Sequence, residues 1–194
     1  DAGFASLLGP YTDIDVPVGL SKSVTGLTAG NTYYYRIRAY SASGTNGNSN
    51  VISVTTIPPA PVEQAATSIT SNGFAANWNA ASGATGYKLD VSTVNTFASR
   101  VSGYDGLDVG NVLTYPVTGL SAGTPYYYRI RAYNTGGTSG NSGTVNPTTS
   151  GVAPRAPASI PATAITATSF SANWAASTGA TGYELDVATS SGFG

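Results

Sequence analysis

Two stretches of this chain occur twice, and that repetition limits what it can fold into more than any other feature. Gly26 to Tyr40, GLTAGNTYYYRIRAY, returns as Gly119 to Tyr133, GLSAGTPYYYRIRAY, at an offset of 93. Phe74 to Val91, FAANWNAASGATGYKLDV, returns as Phe170 to Val187, FSANWAASTGATGYELDV, at an offset of 96. A period of this size suits one small sandwich domain. The 194 residues are about two periods long.

Within a period the side chains alternate with the two-residue rhythm of a strand. Phe74, Ala76 and Trp78 alternate with Ala75 and Asn77, and Tyr87, Leu89 and Val91 with Lys88, Asp90 and Ser92. Leu113, Tyr115 and Val117 follow the same rule, as do Tyr126, Tyr128, Ile130 and Ala132 against Tyr127, Arg129, Arg131 and Tyr133. No segment spaces its apolar residues as a helix would. Turn formers separate the runs at Ser71-Asn72-Gly73, Ser82-Gly83, Asp105-Gly106 and Gly136-Gly137. The pattern predicts an all-β chain of two-sheet sandwiches.

Composition narrows the chemistry. The chain has no Cys and no His, so the usual zinc, copper, iron–sulfur and haem ligand sets cannot be assembled. The common nucleophile–base pairs are lost with them. We therefore expect no enzyme, no catalytic residue, no metal and no cofactor. Charged residues are 9%, against about 25% in an ordinary domain. With 8 basic and 9 acidic residues, nothing draws the chain to nucleic acid, and no apolar run is long enough for membrane insertion. The lack of Met marks the chain as a processed product or an excerpt. Few Lys and Glu with much Thr, Asn and Gly fit an exported bacterial protein.

At this point the residues resemble the fibronectin type III domain in its bacterial extracellular form. Leu120 is followed six residues later by Tyr126 across a glycine turn, and Leu27 by Tyr33 in the same way. That spacing resembles the family's tyrosine corner, in which the phenol returns to a backbone group. Trp78 and Trp174 match its buried strand B tryptophan, and Tyr87 and Tyr183 its strand C aromatic. The resemblance implies seven strands, with B pairing E and C pairing F. It places A at Val62 to Ile69, B at Phe74 to Trp78, C at Tyr87 to Ser92 and C′ near Arg100 to Tyr104. E falls at Leu113 to Val117, F at Tyr126 to Asn134 and G near Asn141 to Thr148. Pro116 and Pro147 then sit on edge strands, where a missing N–H is tolerated.

On this frame residues 58–149 are a complete immunoglobulin-like β-sandwich. Residues 1–57 hold the C-terminal part of a domain (C′, E, F, G), and residues 150–194 an N-terminal part (A, B, C). The two flanks are complementary half-domains, too small to be stable alone. Completion within one chain is disfavoured, because the family's termini lie at opposite poles. Two arrangements remain: halves of successive copies meeting head to tail, or a window from a longer covalent array.

The outward face of strand F offers an interaction surface of Tyr127, Arg129, Arg131 and Tyr133, repeated as Tyr34, Arg36, Arg38 and Tyr40. Aromatic and guanidinium groups on a sheet stack on sugars or on proteins. The competing expectation is cross-strand pairing, with Asp90 facing the arginines. The loop from Asp105 to Asn111 has two carboxylates but not the spacing of a calcium loop. Asp13 and Asp15 lack a cleft of the kind a glycosidase pair needs. Neither strand-F loop contains the Arg-Gly-Asp tripeptide of the family's adhesive animal members. Lys22 stands where the second copy has Tyr115, an inward position on an edge strand, where its stem can cover the core rim.

These readings imply a structural repeat segment of a bacterial extracellular surface protein, a stalk, adhesin shaft or filament. Its expected partners are itself, head to tail and laterally, and surface glycans or proteins. The alternatives are a spacer array of a secreted polysaccharide-degrading enzyme, or a carbohydrate- or protein-binding module. Pro-rich joints at Ile57-Pro58-Pro59-Ala60-Pro61 and Ala153-Pro154-Arg155-Ala156-Pro157 would limit bending.

Overall fold

The structure, a computed structural model, describes residues 7–17 and 19–191. Its strands are β1 Thr32–Tyr35, β2 Tyr40–Ser41, β3 Gly44–Thr45 and β4 Ile52–Thr55, then β5 Glu63–Thr67, β6 Phe74–Trp78 and β7 Gly86–Ser92. These are followed by β8 Leu107–Gly110, β9 Thr114–Val117, β10 Tyr127–Asn134 and β11 Gly137–Thr138, and finally β12 Ser159–Thr163 and β13 Ser171–Trp174. Among the described residues the only helical element is a 3-10 turn at Gly9–Tyr11, and no helix is long and apolar enough to cross a membrane.

Strands β5 to β11 make two facing sheets. One has the order β5-β6-β9 and the other β11-β10-β7-β8, with antiparallel pairing throughout. The alternation read from the sequence sets the core. Phe74, Ala76, Trp78 and Val117 project from the first sheet, and Tyr87, Leu89, Val91, Tyr128, Ile130 and Ala132 from the second. Both sets are excluded from solvent, because one face of each sheet has the other to pack on. Phe74 stacks on Tyr128 at 5.7 Å, and Trp78 tilts against Tyr87 at 5.7 Å and 54°. These are geometries that favour aromatic pairs. The buried Tyr128 hydroxyl crosses the core to donate to the Gln64 carbonyl, satisfying a polar group that would otherwise be stranded.

The expected tyrosine corner is present in both copies. Tyr126 Oη accepts the Ser121 N–H at 3.0 Å, and Tyr33 Oη accepts the Thr28 N–H at 2.8 Å.

Three details differ from the sequence expectation. The strand expected near Arg100–Tyr104 lies at Leu107–Gly110, within what reads as a loop, and pairs there with β7. The Arg100 region keeps an isolated bridge to Ser92 and main-chain bonds of Val101 and Tyr104 with Val91, but a turn at residues 102–103 stops it from forming a strand. Leu113 precedes β9 and is exposed, rather than sharing the inward face with Tyr115 and Val117. The last strand is broken: beyond β11, residues 141–148 form no regular strand and meet β10 and its approach at the isolated bridges Tyr128–Val145 and Pro125–Thr148 and through Ser142 and Pro147.

Hydroxyls account for the break. The Ile130 N–H donates to Ser142 Oγ at 3.0 Å and the Ala132 N–H to Ser139 Oγ at 2.9 Å, replacing carbonyl partners. The first copy repeats the substitution, with the Ile37 N–H on Ser49 Oγ at 3.0 Å. It then resumes a regular ladder as β4, where Val54 stands in place of Pro147.

The outer segments form fewer strands than their sequences suggest. Residues 7–31, expected to hold C′ and E, form none among the described positions, and the strand F sequence breaks into β1 and β2. Residues 182–188, GYELDVA, form no strand, although residues 86–92, GYKLDVS, make β7. A strand persists only with a partner on its edge, and these segments have none here.

A tight joint links the first segment to the sandwich. The Asn134 side-chain amide donates to the Thr56 carbonyl at 3.0 Å and to the Gly83 carbonyl at 3.1 Å. Pro58 and Pro61 are buried. Gly83 has φ +68, and a Cβ built there would lie 1.9 Å from the Gly30 carbonyl oxygen. Glycine is thus required twice over, for conformation and for closeness.

A candidate interaction face on strand F

β10 projects Tyr127, Arg129, Arg131 and Tyr133 away from the core, and all are half-buried. The register explains why. Arg129 lies opposite Asp90 and Arg131 opposite Lys88 on β7. The Asp90 carboxylate is fully buried, with Arg129 Nε at 3.0 Å and Arg131 Nη2 at 3.2 Å. Arg100 Nε approaches it at 3.8 Å, and the Gly106 N–H donates to it at 2.7 Å. A buried carboxylate held this way is satisfied by charge and by hydrogen bonds together.

The segment between β7 and β8 folds over this face. Phe97, at φ +58, places its ring 4.0 Å from the Arg129 guanidinium carbon, a cation–π contact. Arg100 pairs with Asp105 at 3.2 Å. Phe97 and Arg100 are the site residues that sequence reasoning missed. A lone Phe in a stretch of Ser, Thr and Asn has no periodicity to flag it.

At the far end, the Tyr133 hydroxyl donates to both oxygens of Asp108 at 3.0 Å, and Lys88 Nζ lies 5.9 Å from its ring centre. The bond to Asp108, then burial and the carboxylate's charge, hold the Tyr133 phenol above its ordinary value. Asp108 also accepts the Gly110 N–H at 2.9 Å. Both acidic groups of the stretch weighed as a calcium loop are therefore engaged by protein donors.

The first copy presents the same face with a different covering. The Tyr40 hydroxyl donates to Asp15 at 2.6 Å, the counterpart of Tyr133 on Asp108. That bond, followed by the carboxylate's charge and burial, raises the Tyr40 phenol in the same way. Arg38 pairs with Asp13, a residue standing where the second copy has Gly106. Tyr34, Arg38 and Tyr40 are exposed and Arg36 is half-buried. Lys22, at the position of half-buried Tyr115, is exposed. The face thus carries Arg38, Arg129 and Arg131 paired with the protein's own carboxylates and is edged by two tyrosines in each copy.

Comparison with known proteins places this architecture. The family model of the Fibronectin type III domain matches residues 59–148. The chain is 33% identical to Exoglucanase B of Cellulomonas fimi across 90% of its own length, and 33% identical to Chitinase A1 of Niallia circulans across 61%. It spans 17% of the length of each of those two proteins. The solved sixth fibronectin type III domain of human fibronectin type III domain containing protein 3 is 23% identical, over 53% of this chain and 94% of that one, with a TM-score of 0.42. Two sheets in the order read above, a tyrosine corner, a buried strand B tryptophan and the family match converge: residues 59–148 are a fibronectin type III domain.

Proposed function

We propose that this chain is a structural repeat segment of a bacterial extracellular protein, in which fibronectin type III sandwiches stand in a row as a stalk or filament shaft. Residues 58–149 are one complete unit, and residues 1–57 and 150–194 are parts of its neighbours. The observation that carries this reading is the joint at Thr56 to Pro61. There main chain packs on main chain and Asn134 ties the preceding segment to the sandwich. Such a joint sets the spacing and angle of consecutive domains, which is the work of a shaft. The strand F face supports the same reading, since Arg38, Arg129 and Arg131 are occupied by the protein's own carboxylates.

Small-angle scattering of the chain tests it. A rod whose length fits domains in line is expected, and a compact particle would overturn the proposal. A second reading is favoured by the relatives: an accessory array of a secreted polysaccharide-degrading enzyme, as the matches to Exoglucanase B and Chitinase A1 suggest. A catalytic domain encoded in the same reading frame would decide for it. A binding role for the face is tested by Tyr127→Ala and Arg129→Ala, which should abolish retention on a glycan array if such retention exists.

A further inference from the structure

The two repeats differ in offset, 93 against 96, and the three extra residues sit at a joint. Thr149 follows Thr56 by 93 and Ala153 follows Ile57 by 96, so Ser150-Gly151-Val152 has no counterpart in the first joint. The same joint carries Arg155 where the first has Pro59. We propose that Gly151 and Val152 are a built-in hinge, so that the chain holds one stiff joint and one that bends. This rests on the reading of the chain as a row of like domains, and it adds where such a row flexes.

Both joints are pinned by the same bonds. Upstream, the Gly30 N–H donates to the Ile57 carbonyl at 2.9 Å, and the Gly123 N–H to the Ser150 carbonyl at 3.0 Å. Downstream, the Asn79 N–H donates to the Val62 carbonyl at 2.8 Å, and the Ala175 N–H to the Ala158 carbonyl at 2.9 Å. What differs is the chain between the pins. The first joint spans them with Pro58-Pro59-Ala60-Pro61, three prolines in four residues. Each ring fixes its own φ and holds the residue ahead of it extended. The second spans them with Gly151-Val152-Ala153-Pro154-Arg155-Ala156-Pro157, two prolines in seven residues.

Within that longer span the freedom falls at one place. Ser177 Oγ donates to the Arg155 carbonyl at 2.5 Å, which joins residues 155–158 to the segment that follows. Pro154 has a fixed φ and restricts Ala153 before it. That leaves Gly151 and Val152, whose main-chain groups make no hydrogen bond among the described residues. Glycine has the widest backbone choice of any residue. The hard contact of the first joint is missing as well. Gly30 and Gly83 meet main chain to main chain, whereas a Cβ built on either of their counterparts, Gly123 and Gly179, finds nothing within 4 Å. The loops that carry all four glycines are described, so the difference belongs to the joints. Extra length, fewer prolines and a lost contact act in the same direction.

The chain has no Cys of its own, so paired spin labels on introduced cysteines can read the distance distribution across each joint of the 194-residue chain. Ser53→Cys with Thr114→Cys spans the first joint, and Thr114→Cys with Ala162→Cys the second. The second distribution should be roughly twofold broader than the first. Deleting Ser150-Gly151-Val152 together with Arg155→Pro should narrow it to the width of the first. Inserting Ser-Gly-Val after Thr56 should broaden the first to match the second. Gly151→Pro, which keeps the length, should narrow the second part-way. Equal widths in the unaltered joints would overturn the hinge. So would a second width that both the deletion and Gly151→Pro leave unchanged, since the motion would then lie in the last segment itself. The shaft reading would survive either result, because it is a compact particle in small-angle scattering that removes it.

Discussion

Residues 86–92 and residues 182–188 are nearly the same sequence, GYKLDVS and GYELDVA, yet only the first is a strand. Leu89 is sealed in a core while Leu185 faces water. Strand propensity is shared, so propensity does not decide. What differs is the neighbour: β7 lies between β10 and β8, and residues 182–188 have no strand on either edge. The comparison isolates the contribution of tertiary context to a β-element, which intrinsic preference alone rarely supplies.

That contrast can be broken at several points, and the largest effect is expected at the buried carboxylate. Asp90→Ala should destabilise the complete domain by about 3–5 kcal/mol, because it leaves a cluster of arginines without their counter-charge. Asp186→Ala, on an exposed segment, should shift the same urea midpoint by no more than about 0.5 kcal/mol. Next comes the core. Leu89→Ala should cost about 2–5 kcal/mol in thermal or denaturant melts, whereas Leu185→Ala in dilute chain should leave them nearly unmoved. An equal loss at both positions would mean that the last segment is packed after all.

The tyrosine corner gives a finer comparison. Tyr126→Phe should cost about 1–3 kcal/mol by stranding the Ser121 N–H in a partly buried site, and Tyr33→Phe should cost less, since water can reach Thr28. Smallest in global stability, but clear in shape, is the joint. Gly83→Ala forces a Cβ against the Gly30 carbonyl and should lengthen or bend the scattering profile, with about 1–2 kcal/mol lost from the domain.

Much of the fold is written in local patterns. Phe74, Ala76 and Trp78 announce β6 because a period of two survives even in a short segment, and the Leu120–Tyr126 spacing announces the corner. β8 was hidden for a physical reason: Asp105, Gly106 and Gly110 carry strong turn preferences, and only Leu107 and Val109 signal a half-buried strand between them. The broken last strand was also illegible, since Ser139 and Ser142 look like loop residues until their hydroxyls are seen on β10. On the candidate face, charge alternation revealed Asp90 against the arginines. It could not reveal that Phe97 and Arg100 close over them, because that depends on how a loop returns.

The close approach of Gly30 and Gly83 has a mechanical corollary. Main-chain atoms cannot rotate out of the way as side chains do, so flexing that presses these two loops together meets a hard stop. Flexing the other way pulls on the side-chain amide of Asn134, which must release the Thr56 carbonyl. A row of domains built on this joint would be stiff toward one side and compliant toward the other, curving under load in a direction set by where its glycines lie.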